Sequence, residues 1–439
     1  MGLSVVFFFL FSAGSIRREA ERAAEAAAGQ GRQEPAGKRG AKPSIPQPRP
    51  PGPPKAAPAF YADAASLLAA IGGDLRSGNL EGAMKTAGPA GVGPKPEFVR
   101  HLLTGAGFAV PAEGPVFREA GAVSGGSRHE LLLIPKTPGA LVPAGTVMVD
   151  VARTGASSAW EVKDWRFSAG LVTQGLSLVR REGINLSPGP LASTPDSLSS
   201  AHDFLTDVLA RDFRKARALT DEKKITHEKL AGLCIVFEEG EYRMAASRPL
   251  VVTAGSESTA WAIAKVRSDK QKLDSEIGLE MTNEPGRGWV IHSLDFNKML
   301  AGYVKASNSG NVFYSPIVKS PTGKESIVVY FEFNQSELHP RAIAQLDIIA
   351  GLLKSDPARK MRISGHADNV GNEDYNYKLS QKRAANVRNH LASLGVPPAQ
   401  IETLGFGATS PLDPNLRDDG TDNPDGRSRN RRTEIYLDF

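Results

Sequence analysis

The chain has 439 residues, 41% of them hydrophobic and 23% charged, which excludes a wholly disordered or fibrous protein and leaves room for about three domains. Its formal charge of +5 sits in the first 56 residues, where nine Lys/Arg face four Asp/Glu; the other 44 basic and 44 acidic residues cancel, so neither globular part carries a basic footprint for nucleic acid. Cys234 is the only cysteine, so no intramolecular disulfide and no cysteine-built metal cage can form, and within the apolar run "LCIVF" it reads as a buried structural thiol.

Residues 3–14, "LSVVFFFLFSAG", are a stretch of apolar or small residues shorter than the roughly 20 needed to span a bilayer. That length fits the apolar region of a signal peptide, although no basic segment precedes it; a short membrane anchor and a misplaced start are the alternatives, and all three are compatible with export. Residues 1–16 are therefore expected to be a signal peptide or short anchor. Residues 17–60 follow as an Ala/Pro-rich linker, with too little apolar content to offset the entropy of ordering. Eight prolines between Pro43 and Pro58 favour an extended polyproline stretch, at about 3.1 Å per residue long enough to hold the next domain roughly 50 Å from whatever holds the N-terminus.

Residues 61–302 contain a divergent internal repeat. In the first copy, residues 66–88 place Leu67, Leu68, Ile71 and Leu75 on one helical face; in the second, "SSAHDFLTDVLARDFRKARALTD" does the same with Phe204, Leu205, Val208 and Leu209. Later, "GTVMVDVARTGASSAWEVKDWRFSAGL" matches "SEIGLEMTNEPGRGWVIHSLDFNKML" as paired strands, with Trp160 corresponding to Trp289, Phe167 to Phe296 and, in the helical part, Ala83 to Ala216. Helices followed by an antiparallel sheet make an α+β unit, expected at 61–180 and again at 201–302, with linkers at 181–200 and 303–324. This pattern resembles the cone-shaped fold of the nuclear-transport-factor-2-like (SnoaL-like) superfamily. Because that superfamily includes isomerases, dehydratases and non-catalytic binders, the resemblance assigns no activity.

Residues 325–439 read differently. "ESIVVYFEFNQSEL" alternates as a strand, "HPRAIAQLDIIAGLLKSDP" places Ile343, Leu346, Ile349 and Leu353 on one helical face, and "KMRISGHAD" is a second strand. The helix "DYNYKLSQKRAANVRNHLASLG" and the strands "IETLGFG" and "RRTEIYLDF" complete a β-α-β-α-β-β order. The motifs "VYFEFNQSEL", "GHADNVG", "YNYKLSQKRAANVRNHL", "LGFGATSP" and "GRSRNRRTEI", in that order, resemble the OmpA-like C-terminal domain. The expected fold is thus α+β throughout: tandem cone-shaped repeats, then an OmpA-like domain with helices on one side of a mixed sheet.

The OmpA-like resemblance implies non-covalent binding of peptidoglycan through the diaminopimelate of its stem peptide, with Asp368 and Arg383 at the binding positions. Residue chemistry supports the pairing independently. The free end of diaminopimelate carries an ammonium and a carboxylate on one carbon, so a binder needs a carboxylate and a guanidinium side by side, and the planar fork of arginine meets a carboxylate with two parallel bonds. Asn376 and Leu379 match further family positions, Asn376 as a tie between loop and helix. Phe333 and Asn334 end a strand at the same mouth, where backbone groups help to hold the ligand. His366, Asn430 and Arg431 belong to the supporting shell, and His366 beside Asp368 reads as an orienting residue rather than a metal ligand or acid/base group. Arg388, further along the same helix, serves as a solvated control. The acidic loop with Asp418, Asp419, Asp422 and Asp425 misses the calcium-loop spacing, so no metal or other cofactor is expected.

The chain accordingly reads as an envelope protein on the periplasmic side, associated with the outer membrane, whose partners are peptidoglycan and, through the cones, other envelope proteins. The competing reading is a periplasmic enzyme or small-ligand sensor built on the cones. Asp164, Asp295 and His292 are its candidate acid/base groups, but the two aspartates fall out of step between the copies and no nucleophile or phosphate-loop motif accompanies them. A motor stator would need a full transmembrane helix with an intramembrane carboxylate, which the sequence lacks.

Overall fold

The computed structural model describes residues 61–437 apart from 106, 138, 140, 141, 154, 156–158, 182, 308–313 and 320–322, so the expectations for the leader and the proline-rich segment lie outside the described residues. Asp63 opens the first half: its carboxylate accepts the Ser66 N–H at 2.6 Å and caps α1 (Ala64–Arg76). Asn79 caps α2 (Leu80–Thr86) in the same way, and α3 (Pro94–Thr104) starts with proline in its first turn. Strands β1 (Phe108–Ala109), β2 (Phe117–Val123), β3 (Gly126–Leu131), β4 (Ile134–Pro135), β5 (Val147–Arg153) and β6 (Trp160–Phe167) follow, and α4 (Ala169–Arg181) closes the half. The main sheet is antiparallel in the order β2-β3-β5-β6.

The second half repeats this scheme. Asp196, 133 residues after Asp63, caps α5 (Ser197–Leu209) through the Ser199 N–H at 2.9 Å, and Asp212, 133 residues after Asn79, caps α6 (Phe213–Ala218). Helix α7 (His227–Glu239) precedes β7 (Tyr242–Met244), β8 (Leu250–Gly255), β9 (Thr259–Ser268), β10 (Leu273–Glu284) and β11 (Gly288–Asp295), with α8 (Asn297–Ser307) at the end. Here β11-β10-β9 continues to β7, and β8 also pairs with β9. Even the irregularities correspond. The pairing shifts at Ala120 of β2 and at Thr253 of β8, and again opposite Lys163 of β6 and His292 of β11. Matching caps and bulges in two sequences this divergent show that one backbone plan was kept while side chains changed.

The halves meet at a buried cation. Arg128 of β3 donates to both carboxylate oxygens of Asp150 at 2.5 and 2.8 Å, to Asp196 at 2.7 Å and to Ser199 Oγ at 2.9 Å. Burial alone would raise the Asp196 pKa, but the Arg128 hydrogen bond and charge hold it down at about 2. The cap of α5 is therefore also the partner of the neighbouring half's arginine.

The C-terminal region comprises β12 (Ile317–Lys319), β13 (Glu325–Tyr330), α9 (Pro340–Ser355), β14 (Met361–Gly365), α10 (Glu373–Ser393), β15 (Ile401–Gly405), α11 (Pro424–Asn430) and β16 (Arg432–Tyr436). The sheet order is β12-β13-β16-β14-β15, with β14 and β15 parallel and the other neighbours antiparallel. Helices α9 and α10 bury Leu346, Ile349, Leu353, Val387 and Leu391 against Ile327, Val329, Ile363 and Ile435. Ile343, expected on that buried face, is instead more than a third exposed, since the helix turns its first apolar position outward.

Two expectations change. The sheet has five strands rather than four, and the supposed linker at 303–324 is not one throughout: α8 runs to Ser307, Tyr314 and Ser315 are buried, and β12 pairs with β13. The reason is packing. The core of the second half runs without a break into that of the C-terminal region, while the first half keeps a core of its own. Helix α7 approaches β12 so closely that a Cβ on Gly232 would lie 3.0 Å from the Ile317 side chain. Thr226 donates to Glu325 at 2.8 Å, and buried Glu239 accepts from Tyr303 and Tyr314 with Arg341 at 3.5 Å. Burial raises the Glu239 pKa, and the tyrosine hydrogen bonds and Arg341 oppose the rise.

Candidate functional site

The site forms where β14 leaves the sheet. At that point Gly365 lies against α10, where an added Cβ would come within 2.0 Å of the Ser380 carbonyl oxygen; glycine there lets the strand end meet the helix that carries Arg383. Asp368, three residues on, is buried. Its Oδ1 accepts the Val370 N–H at 3.2 Å, and its Oδ2 stands 3.0 Å from Arg431 Nη1 and 4.0 Å from Arg427 Nη1.

Arg383, fully buried in α10, acts as a brace. Nε donates to the Gln335 carbonyl at 2.8 Å, Nη1 to the His366 carbonyl at 2.8 Å and Nη2 to the Glu332 carbonyl at 3.3 Å, while the guanidinium lies 5.1 Å from the Phe331 ring centre. Burial lowers its pKa to about 10, with Arg431 adding to the fall and Asp368 opposing it, so the group stays cationic at neutral pH. The structure thus brings Asp368 and Arg383 to one mouth without pairing them. Among the described residues the ion pair of Asp368 is with Arg431.

The other expected residues separate by role. Asn376 is buried behind the loop, but the recorded tie from loop to helix is the cap made by Asn372, whose Oδ1 accepts the Tyr375 N–H at 2.8 Å. Leu379 is half-buried on the same helix. Phe333 is exposed, and Asn334 adopts a left-handed backbone (φ 58°) with its Oδ1 accepting from the Tyr375 hydroxyl. Asn430 is a fastener. It accepts from the Leu412 and Asp413 amides at 2.7 and 3.1 Å and donates to the Asp413 carbonyl at 2.7 Å. His366 is buried, its ring stacked on Phe406 at 5.3 Å; burial and then the Arg432 charge lower its pKa to about 3, so it is neutral.

Sequence reasoning placed Arg431 in the supporting shell, but it is the direct partner of Asp368, and Arg427 was missed. The available signal was the spacing of the two arginines, four apart across a short helix and hence on one face. In the acidic loop, Asp422 pairs with Arg427 at 2.6 Å, and Asp419 accepts from the Thr421 N–H and hydroxyl at 2.9 and 2.6 Å. Among the described residues no group of His, Cys, Asp and Glu is arranged to hold a metal ion. Beside the mouth opens a cavity of about 610 Å³ walled by Tyr314, Phe331, Arg341, Gln345 and Arg431.

The candidate acid/base groups of the cones lie apart from one another, each with its own partner. Lys95 Nζ is 2.6 Å from Asp164, His292 Nδ1 is 2.9 Å from Asp221, and Asp295 accepts the Asn297 N–H at 3.0 Å at the start of α8.

Residues 330–431 match the model of the OmpA family, so the C-terminal region is an OmpA-like domain. Over 108 residues the chain is 37% identical to outer membrane protein A of Bordetella avium, covering 25% of this chain and 53% of the relative. Over 83 residues it is 39% identical to the peptidoglycan-associated lipoprotein of Pseudomonas aeruginosa, covering 19% of this chain and 49% of the relative. The crystal structure of the peptidoglycan-associated lipoprotein from Burkholderia pseudomallei aligns at 34% identity over 25% of this chain and 87% of that one, with a TM-score of 0.23. The chain spans about half the length of these two curated relatives.

Proposed function

We propose that this is a cell-envelope protein of the periplasmic side, associated with the outer membrane, that binds peptidoglycan without covalent attachment through its C-terminal domain. We assign three folded parts, 61–180, 201–302 and 325–439, the last being the wall-binding part. The observation that carries the reading is one mouth holding a buried carboxylate, Asp368, next to a buried guanidinium, Arg383, in a domain whose relatives include a peptidoglycan-associated lipoprotein. The ligand is the diaminopimelate end of the stem peptide. Its ammonium approaches Asp368, whose oxygens have accepting capacity beyond the Val370 N–H and Arg431, and its carboxylate meets the Arg383 charge and the N–H groups left over from the three carbonyls. Lysine in place of diaminopimelate supplies the ammonium but not the neighbouring carboxylate. The test is therefore competition: free diaminopimelate should release the full-length protein from diaminopimelate-type sacculi, and lysine at the same concentration should not. Equal release by both, or by neither, contradicts the assignment.

A further inference from the structure

Around the mouth stand three large apolar side chains that the grip on the peptide does not use. Phe333 is 53% exposed, Tyr375 46% and Val370 41%. Each is one step from a residue of the grip. The Val370 N–H is the donor to Asp368 Oδ1. Phe333 follows Glu332, whose carbonyl takes Arg383 Nη2. Tyr375 precedes buried Asn376, and its hydroxyl holds Asn334, which adopts the left-handed conformation that most side chains avoid. The rim is thus fixed in place and yet left open to solvent, and apolar surface gathered at one spot marks a contact surface more often than scattered single residues do.

We infer that this rim is a subsite for the amino sugar of the glycan strand, with the sugar's apolar face lying on Phe333 and Tyr375 and against Val370. The proposal rests on the peptide reading above and extends it. The occupant follows from continuity: a stem peptide held at Asp368 is covalently attached to a pyranose ring, which therefore arrives at the edge of the same mouth. A pyranose presents C–H groups on one face, which pack on aromatic rings, and hydroxyl and amide groups at its edge, which remain in water. The rim offers no free charge, as suits a neutral acetylated sugar.

The test compares two ligands on the full-length protein by calorimetry, a diaminopimelate-containing tripeptide and the same tripeptide joined to its disaccharide. Wild type should bind the disaccharide form about tenfold more tightly, and Phe333→Ala or Tyr375→Ala should lose most of that advantage while holding the free tripeptide unchanged. Tyr375→Phe keeps the ring and should keep the advantage. Tyr377→Ala is the control, removing a side chain of similar exposure (48%) two residues along α10 and so on another face. An unchanged advantage in the Phe333 and Tyr375 variants, or an equal loss for both ligands, overturns the sugar subsite while leaving the peptide site standing. A wild-type protein that binds neither ligand overturns the peptide reading and the subsite with it.

Discussion

Arg431 Nη1 stands 3.0 Å from Asp368 Oδ2, so the carboxylate at the mouth is paired before any ligand arrives, and by an arginine 63 residues away rather than by Arg383. A diaminopimelate ammonium must therefore share Asp368 with a guanidinium. That arrangement keeps Asp368 ionised and desolvates it at little cost, and it leaves Arg383 to serve as a fixed positive charge behind the mouth.

Arg383 has a second task that can be measured alone. Arg383→Ala strips the donors from three carbonyls, those of Gln335, His366 and Glu332, and should lower unfolding stability by about 2–5 kcal/mol in urea denaturation. Arg383→Lys restores a charge but not the fork, and should recover only part of the loss. Arg388→Ala on the same helix should change stability by less than about 0.5 kcal/mol. If Arg383→Ala unfolds at the wild-type midpoint, the brace contributes nothing.

His366 predicts acid sensitivity. Its folded pKa of about 3 lies below the ordinary 6.5, so below pH 6.5 the unfolded chain takes up a proton that the folded one does not. The contribution to stability is complete above pH 6.5 and falls by about 1.4 kcal/mol per pH unit from there towards pH 3. At pH 5 the loss is about 2 kcal/mol relative to pH 7.5. His366→Phe, which keeps a ring against Phe406, should lessen the pH dependence of the denaturation midpoint by that amount. An identical pH profile in wild type and variant contradicts the buried neutral imidazole.

Cys234 reports on the shared core. Buried in α7, its thiol is pushed well above the ordinary pKa by desolvation, so thiol reagents should not label the native protein. Because the second half and the C-terminal domain share one core, labelling of Cys234 in increasing urea should follow the same transition as loss of wall binding. A labelling midpoint well below that of wall binding would show that the two parts open separately.

Much of this was legible in the sequence. The buried face of α1, the paired strands with Trp160 and Trp289 and the order of C-terminal motifs were read from periodicity and spacing, because those features repeat locally. The strand at 317–319 was not, since three residues carry no period of their own and pair only because α7 presses on them. Within the site, the buried placement of Asp368 and Arg383 was expected, but the Asp368–Arg431 pair was not, because it joins the loop after β14 to the residue before β16 and no local pattern records such a contact. The brace role of Arg383 was equally hidden, since its partners are backbone carbonyls and any residue type could supply them.

The central claim is the charge chemistry at Asp368, and the most direct measurement is the affinity of full-length Asp368→Asn for diaminopimelate-type sacculi, with folding checked by circular dichroism. The change keeps the side chain's shape and its acceptor for the Val370 N–H but removes the negative charge, leaving the ligand ammonium next to Arg431 and Arg427 without an anion between them. The loss of a buried charge partner is on the order of 2–5 kcal/mol, so binding should fall about 30-fold or more. Wild-type affinity in a folded Asp368→Asn protein would contradict the account.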